Sequence, residues 1–221
     1  MELRIARSRA TKDIDLTFHE DDRAAFSSLA IQDRLHELCN ADIDDHFQFR
    51  VAAPTLDLEN APYGGARYPI TAQVGNKPFV QFLLDVGGDL LVDTVEYIHT
   101  TDWLQFCNIV PPLVPTISIE QQFAEKLHAY SLPRKHPNTR VKDLIDLALL
   151  LNMKKLNTER VCHCMDQVFR IRRTHAIPTQ LSPPPDNWKR PFETMAAECG
   201  ILLKLDQVYE VIARYYSESL A

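Results

Sequence analysis

Two aspartates near the N-terminus, Asp13 and Asp15, alternate with the apolar residues Ile14 and Leu16. This alternation predicts a short buried strand, in which residues i and i+2 share a face. The two carboxylates then emerge together, while Ile14 and Leu16 point into a core. Neighbouring carboxylates repel, and unpaired buried charge is costly, so the pair needs a counter-charge. A divalent cation such as Mg²⁺ supplies one, although an isolated Asp-x-Asp is more often a turn with two solvated aspartates.

A third acid arrives on another predicted strand, Phe79–Val86, in which Asp85 is the one charged residue. The preceding segment, Tyr68–Val74, alternates as a half-buried strand does, and Gly75–Lys77 has turn chemistry, so the two strands are predicted to form a hairpin. An aspartate at a strand end is commonly the cap of the following turn. Together with the two N-terminal aspartates, however, Asp85 would complete a three-carboxylate site for one or two metal ions. Arg67 could face these acids or lie on the surface.

The C-terminal half contains two predicted helices, over 119–130 and 138–147. Each has one apolar stripe, formed by Ile119, Phe123, Leu127 and Tyr130 in the first and by Val141, Leu144, Ile145 and Ala148 in the second. Asp143 and Asp146 lie one helical turn apart, and Arg140 lies one turn before Asp143, within pairing distance. Spacing alone favours two amphipathic helices with ordinary surface ion pairs.

Taken in order, these segments resemble the AbiEii-like nucleotidyltransferase toxins, a group that includes the MenA-type toxins. The resemblance extends over roughly the first two-thirds of the chain and rests on an ordered set of motifs. The set comprises Asp13-Ile14-Asp15-Leu16, Asp85, the helix with Glu120 and Lys126, and Arg140–Leu147. It implies an α+β fold of the DNA polymerase β-like nucleotidyltransferase type, with a small mixed sheet and a helical C-terminal region. With prolines at 111, 112 and 115 as a boundary, the predicted domains are 1–115 and 116–221.

The resemblance also implies a chemistry. The chain would transfer a nucleotide from an NTP to RNA with Mg²⁺, and the targets in the MenA branch are tRNA acceptor ends. Members belong to toxin–antitoxin or phage-defence systems and are usually encoded beside an antitoxin. The implied metal ligands are Asp13, Asp15 and Asp85, and the implied catalytic set adds Lys126 and Asp143. Lys126 would contact the nucleotide phosphates, with Arg140 as a second nucleotide-binding candidate.

One expected element is missing from the sequence. Family members carry a Gly-Gly or Gly-Ser turn upstream of the paired aspartates, where exposed N–H groups bind triphosphate oxygens. This chain has no glycine before Gly64, and Met1–Arg7 resembles the tail of the helix that follows such a turn. We therefore expect a domain that is incomplete at its N-terminus, with an incomplete triphosphate cradle. Two alternatives stay open: a catalytically impaired protein of this fold that binds a partner such as an antitoxin, and a metal-dependent nuclease or phosphatase.

Charge and cysteine usage narrow the possible partners and location. The chain has 24 basic and 30 acidic residues, a net charge of −6, which is not the charge of a protein that coats nucleic acid. RNA contact would therefore be local, through three clusters: Arg4/Arg7/Arg9/Lys12, Arg134/Lys135/Arg140/Lys142 and Arg170/Arg172/Arg173. Five cysteines without a recognisable signal peptide predict reduced thiols and a cytoplasmic protein. No run approaches the ~20 apolar residues of a membrane span.

Overall fold

The computed structural model describes residues 1, 3–5, 7–8, 13–17, 27–41, 46–57, 64–88, 91–100, 102, 105–134 and 139–220. The chain forms two compact units. We call Thr11–Leu91 the sheet unit, and Met1–Ala10 with Val92–Ala221 the helical unit. The predicted α+β class is confirmed. The predicted functional domains 1–115 and 116–221 stay a prediction; the segment 92–115 lies in the same unit as the C-terminal helices.

The sheet unit is built on a small mixed sheet. Its described strands are β1 (Asp13–Thr17), β2 (Phe47–Val51), β3 (Leu56–Asp57), β4 (Gly65–Val74) and β5 (Lys77–Gly87). The order is β1-β5-β4-β2, and β3 also pairs with β4. Strand β1 runs parallel to β5, whereas the other pairs are antiparallel. A mixed sheet of this kind is what the resemblance implied.

The β4–β5 hairpin confirms the turn predicted from sequence. Gly75 and Asn76 connect the strands with positive φ values of 54° and 64°. Two-residue hairpin loops favour positive φ at both central positions, because such turns match the twist of the flanking strands. Glycine and asparagine tolerate this conformation better than other residues do. The hairpin therefore fixes the pairing of β4 with β5, and with it the position of Asp85 relative to Arg67.

Helix α1 (Ser28–Cys39) covers part of one face of the sheet, where it packs on β2 and β4. The side chain of Ser27 caps the helix by accepting a hydrogen bond from the N–H of Ala30. Tyr68, fully buried, donates its hydroxyl hydrogen to the carbonyl of Ser28 at 2.8 Å. The core beneath α1 consists of Ile31, Leu35, Val51, Ala66, Tyr68, Ile70, Leu84 and Val86. The sequence also predicts this helix, over 24–39 with acidic residues at 21 and 22 before it; the structure gives 28–39, and residues 18–26 lie outside the described residues.

The predicted burial of β1 is wrong. Ile14 pairs with Leu84 and Leu16 with Val86, so both lie on the apolar face, as the alternation predicted. Their exposed fractions are nevertheless 48% and 45%. The physical reason is position: β1 is an edge strand next to β5, whereas α1 packs on β2 and β4. The sequence pattern identifies the apolar face but not whether another element covers it.

The helical unit contains a two-stranded antiparallel ribbon and a helical core. The ribbon is formed by β6 (Glu96–His99) and β7 (Leu113–Thr116). The helices are α2 (Ile119–Ser131), α3 (Val141–Asn152), α4 (Thr158–Arg172), α5 (Lys189–Glu198) and α6 (Leu205–Ser219). Both predicted apolar stripes face this core, except that Ile119 is buried outside the main cluster and Ala148 is only partly buried. Trp188 packs edge-on against Tyr130. No helix in the described ranges is long and apolar enough to cross a membrane.

Candidate functional site

The strand register brings the three predicted acids of the sheet unit onto one face. Asp13 pairs with Leu83, and Asp15 pairs with Asp85. Because directly paired residues share a face, and residues i and i+2 of one strand do as well, all three carboxylates belong to the face opposite α1. Asp15 and Asp85 lie in the same row across the sheet. The predicted shared face of Asp13 and Asp15 thus extends to Asp85.

Arg67 completes that row and binds Asp85. It pairs with Asp85 across β4 and β5, and its Nε and Nη2 donate to Oδ1 and Oδ2 of Asp85, both at 2.6 Å. The side chains are 30% and 12% exposed, respectively. The hydrogen bond to Asp85 raises the pKa of Arg67 against the effect of burial, and the negative charges of Asp13 and Asp15 act in the same direction. The arginine therefore provides a counter-charge for the acids of this face.

The donor set of this face suits a hard divalent cation, because it consists of carboxylate oxygens. Asp13 and Asp15 meet the simplest requirement, a pair of acids on one face of one strand. Asp85 is in register with Asp15, but both of its oxygens accept hydrogen bonds from Arg67. In the part of the chain that the structure describes, no three His, Cys, Asp or Glu side chains are grouped to hold a metal ion. The pair Asp13–Asp15 thus fits the ion better than the complete set does.

In the helical unit, Lys126 of α2 lies against two acids of α3. Its Nζ is 2.9 Å from Oδ2 of Asp146 and 3.4 Å from Oδ1 of Asp143. The Asp146 side chain is 0% exposed and that of Asp143 is 5% exposed, whereas Lys126 is 25% exposed. These are buried ion pairs and not the surface pairs that helical spacing alone favoured. The two carboxylates therefore restrain the position of the ammonium group.

Two arginines adjoin this lysine site. Nη1 of Arg140 lies 3.5 Å from Oδ2 of Asp143, which confirms the predicted pairing one turn apart. Burial lowers the pKa of Arg134, as does the positive charge of Arg140, while Asp143 opposes the shift. The two guanidinium groups are therefore close enough to interact electrostatically. Lys126, Arg134 and Arg140 thus place three cations near the buried carboxylate of Asp143.

A comparison with protein families identifies the family to which this chain belongs. A family model described as "Nucleotidyl transferase AbiEii toxin, Type IV TA system" matches residues 1–212. The chain belongs to the AbiEii nucleotidyltransferase toxin family. A comparison with curated proteins found no match. The family assignment confirms the resemblance that the ordered motifs indicated.

A solved structure supports the fold of this AbiEii-family chain. The chain is similar to the structure of MenT4, described as the nucleotidyltransferase toxin Rv2826c from Mycobacterium tuberculosis H37Rv, with a TM-score of 0.53 and 14% sequence identity. The match covers 96% of this chain and 76% of that chain. At this identity the likeness shows a shared fold.

Sequence reasoning missed a second ion-pair network in the AbiEii-family chain, in which Asp93 is largely buried and Arg160 is partly exposed. Arg160 of α4 donates from Nη2 and Nε to Oδ2 of Asp93 at 2.7 and 3.2 Å, and Ser118 donates to the same oxygen at 2.7 Å. Burial raises the pKa of Asp93, but hydrogen bonds from Ser118, from the Thr94 N–H and from Arg160 outweigh it and lower the pKa. The network joins the segment before β6 to the helices. No local pattern marks these partners, because 67 residues separate Arg160 from Asp93.

The predicted basic clusters are partly used inside the helical unit. Arg4 donates to Glu96 at 2.5 Å and to Thr116, and its side chain is only 6% exposed. Arg172 pairs with Glu125 at 2.8 Å. Arg9, Lys12 and Lys135 lie outside the described residues. Exposed arginines remain at 134 and 140 in the second cluster and at 170 and 173 in the third.

A histidine cluster lies on the other side of α2. His128 is buried, its Nε2 lies 2.7 Å from Oγ1 of Thr174, and its ring centroid is 4.8 Å from that of His175. Burial lowers the pKa of His128 to about 4, with further contributions from the charges of Arg172 and His175. This imidazole is therefore neutral in the folded protein at physiological pH.

The histidine cluster predicts acid sensitivity. In the unfolded chain a histidine takes up its proton near pH 6.5, whereas folded His128 does so only near pH 4. Stability is thus expected to fall as the pH drops from about 6.5 to about 4, by up to about 3 kcal/mol. The measurement is the free energy of unfolding in urea, for wild type and His128→Gln, across this pH range. The variant should flatten the slope of this free energy against pH. Exposed His163 of α4, changed to Gln, is the matched control, and an unaltered slope in His128→Gln would contradict the assignment.

Proposed function

We propose that this chain transfers a nucleotide from an NTP to RNA, with tRNA 3′ ends as the acceptors and Mg²⁺ as the metal. The single observation that supports the proposal most is the register of Asp13, Asp15 and Asp85 on one sheet face of an AbiEii-family chain. Family membership supplies the reaction class, and the register supplies acids in a suitable arrangement. The proposal extends to a role in a toxin–antitoxin or phage-defence system.

In the sheet unit, Asp13 and Asp15 would hold the metal, and Asp85 would be the third ligand. Bound Mg²⁺ would neutralise charge on the triphosphate and favour departure of pyrophosphate. The acids would fix where the triphosphate binds, because they come from neighbouring strands of one sheet and share its rigidity. To bind the metal, Asp85 would have to give up its hydrogen bonds with Arg67.

In the helical unit, Lys126 would bind the nucleotide phosphates and Arg140 would support it. The buried carboxylates of Asp143 and Asp146 hold the ammonium group of Lys126 at 3.4 and 2.9 Å. A lysine whose position is already fixed loses less side-chain entropy when it binds a phosphate. Asp143 would therefore act by positioning Lys126.

The proposed macromolecular partners are RNA and an antitoxin encoded nearby. With a net charge of −6, RNA would bind through a local basic region, and Arg134 with Arg140 forms the best candidate in the described structure. The antitoxin follows from the family's place in type IV toxin–antitoxin systems. A cytoplasmic location remains part of this proposal.

The test is the product formed from labelled nucleotides. Purified protein is incubated with Mg²⁺, total tRNA and each α-labelled NTP in turn, with and without EDTA. The expected result is label in the tRNA from at least one NTP, release of pyrophosphate, and complete loss of both with EDTA. Gel analysis then distinguishes the alternatives, since a nuclease shortens the RNA and a phosphatase releases free phosphate. Absence of every product, together with tight binding to an antitoxin, would support the non-catalytic binding protein instead.

A further inference from the structure

The bidentate pair between Arg67 and Asp85 restricts how Asp85 can bind a metal ion. Its guanidinium donates two hydrogen bonds of 2.6 Å, one to each oxygen of the Asp85 carboxylate. A carboxylate that accepts such a fork cannot bind a metal with both oxygens at the same time. A metal that used the remaining lone pairs would place a divalent cation close to the guanidinium, and the two positive charges would repel.

The surroundings of Asp85 strengthen its interaction with Arg67. Asp85 is only 12% exposed, so water screens its interactions less than it would at the surface. The other two acids of the face, Asp13 and Asp15, also act electrostatically on Arg67. The guanidinium therefore gains from staying near all three carboxylates, and it provides the counter-charge that a metal ion would otherwise provide.

We propose that Arg67 is an internal competitor for the metal: while it is bound to Asp85, the divalent cation is held by Asp13 and Asp15 alone, and release of Arg67 lets Asp85 join as a ligand. This inference deepens the proposed function and rests on its metal site. Arg67 is accordingly a positioning residue that controls the ligand set and with it the metal affinity. The apparent affinity for the cation is reduced by the fraction of time in which Asp85 is held by Arg67.

The experiment is titration with Mn²⁺ alone, in which free Mn²⁺ is counted by electron paramagnetic resonance on the full chain. Arg67→Gln is expected to tighten Mn²⁺ binding about tenfold, because the variant frees the Asp85 carboxylate from its charge-assisted pair. Arg67→Lys keeps the charge but loses the bidentate fork, so it should tighten binding by less. Arg67→Lys also serves if the glutamine variant folds poorly. Arg50→Gln removes an arginine from the same face, in another row of the sheet, and is the matched control.

Asp85→Asn separates competition from simple charge repulsion. If Arg67 acts through Asp85, Arg67→Gln should have little effect on Mn²⁺ affinity when Asp85 is already asparagine. An equal tightening with and without Asp85 would overturn the inference in favour of general repulsion, and so would unchanged or weaker binding in Arg67→Gln. A tightening as large in Arg50→Gln would overturn it as well.

Failure of this inference can be told apart from failure of the proposed function. If wild type binds Mn²⁺, Asp13→Asn removes that binding, and Arg67→Gln changes nothing, the metal site stands and the role of Arg67 is wrong. If neither wild type nor Arg67→Gln binds Mn²⁺, both are wrong. If wild type binds Mn²⁺ weakly and Arg67→Gln gains affinity that depends on Asp85, the competition is supported whatever the RNA assay shows.

Discussion

Replacing Asp13 by asparagine is expected to lower nucleotide transfer roughly a thousandfold, which equals about 4 kcal/mol of transition-state stabilisation. Asp13 and Asp15 are the acids that share one strand and one face, and the change leaves one carboxylate where two would hold the metal. The asparagine side chain has the same size but is neutral and a weaker ligand for Mg²⁺. The measurement is the initial rate of label incorporation into tRNA for wild type and variant at saturating Mg²⁺.

The fold should tolerate this substitution. Asp13 begins an edge strand and is partly exposed, and loss of one of several neighbouring negative charges relieves repulsion. The free energy of unfolding is therefore expected to stay within about 0.5 kcal/mol of wild type. Asp33→Asn, at an exposed position of α1 in the same unit, is the matched control and should transfer nucleotide normally. Full activity in Asp13→Asn would remove Asp13 from the metal site.

The local signals in the sequence were sufficient for the elements that carry the site. Alternation predicted β1 and the shared face of Asp13 and Asp15, and the Gly75-Asn76 turn predicted the hairpin that carries Asp85. The pairing of Asp15 with Asp85 had no such signal, because parallel strands are joined over long stretches and their register depends on tertiary packing. Asp85 was grouped with Asp13 and Asp15 from the order of motifs characteristic of the family, and not from the local pattern.

Burial was the property that the sequence predicted least well. The same helical spacing fits a solvated pair and a buried one, so Asp143 and Asp146 could not be recognised as buried before the packing of α2 on α3 was known. The opposite error occurred in β1, where Ile14 and Leu16 face the core side but remain exposed. Both cases depend on which element covers a face, and that is decided by residues distant in sequence.

Replacing Lys126 by methionine is expected to destabilise the protein by about 3–5 kcal/mol, the usual cost of removing one partner from a buried ion pair. Methionine keeps most of the side-chain volume, so packing changes little. Asp146, whose fully buried side chain lies 2.9 Å from the ammonium, would then lose this cation. Asp143 is affected less, because Arg140 also lies within 3.5 Å of it. The measurement is urea unfolding followed by far-UV circular dichroism, which reports the helix content.

The matched control is Lys142→Met on α3. Lys142 is exposed, so its replacement also removes one positive charge from the helical unit but leaves no buried acid unpaired. Its expected effect on the free energy of unfolding is within about 0.5 kcal/mol. A loss as small as this in Lys126→Met would mean that the ion pairs of Lys126 add little net stability.

The double variant Lys126→Met with Asp146→Asn separates the structural role of Lys126 from its role with the nucleotide. The second change removes the buried charge that lost its lysine in the first, so at least about half of the lost stability should return. Nucleotide transfer should not return, because the ammonium that would bind the phosphates is still missing. Recovery of both stability and transfer would show that Lys126 serves only to neutralise Asp146. Recovery of stability without transfer would instead locate its contribution at the triphosphate, with the buried acids acting to hold it in place.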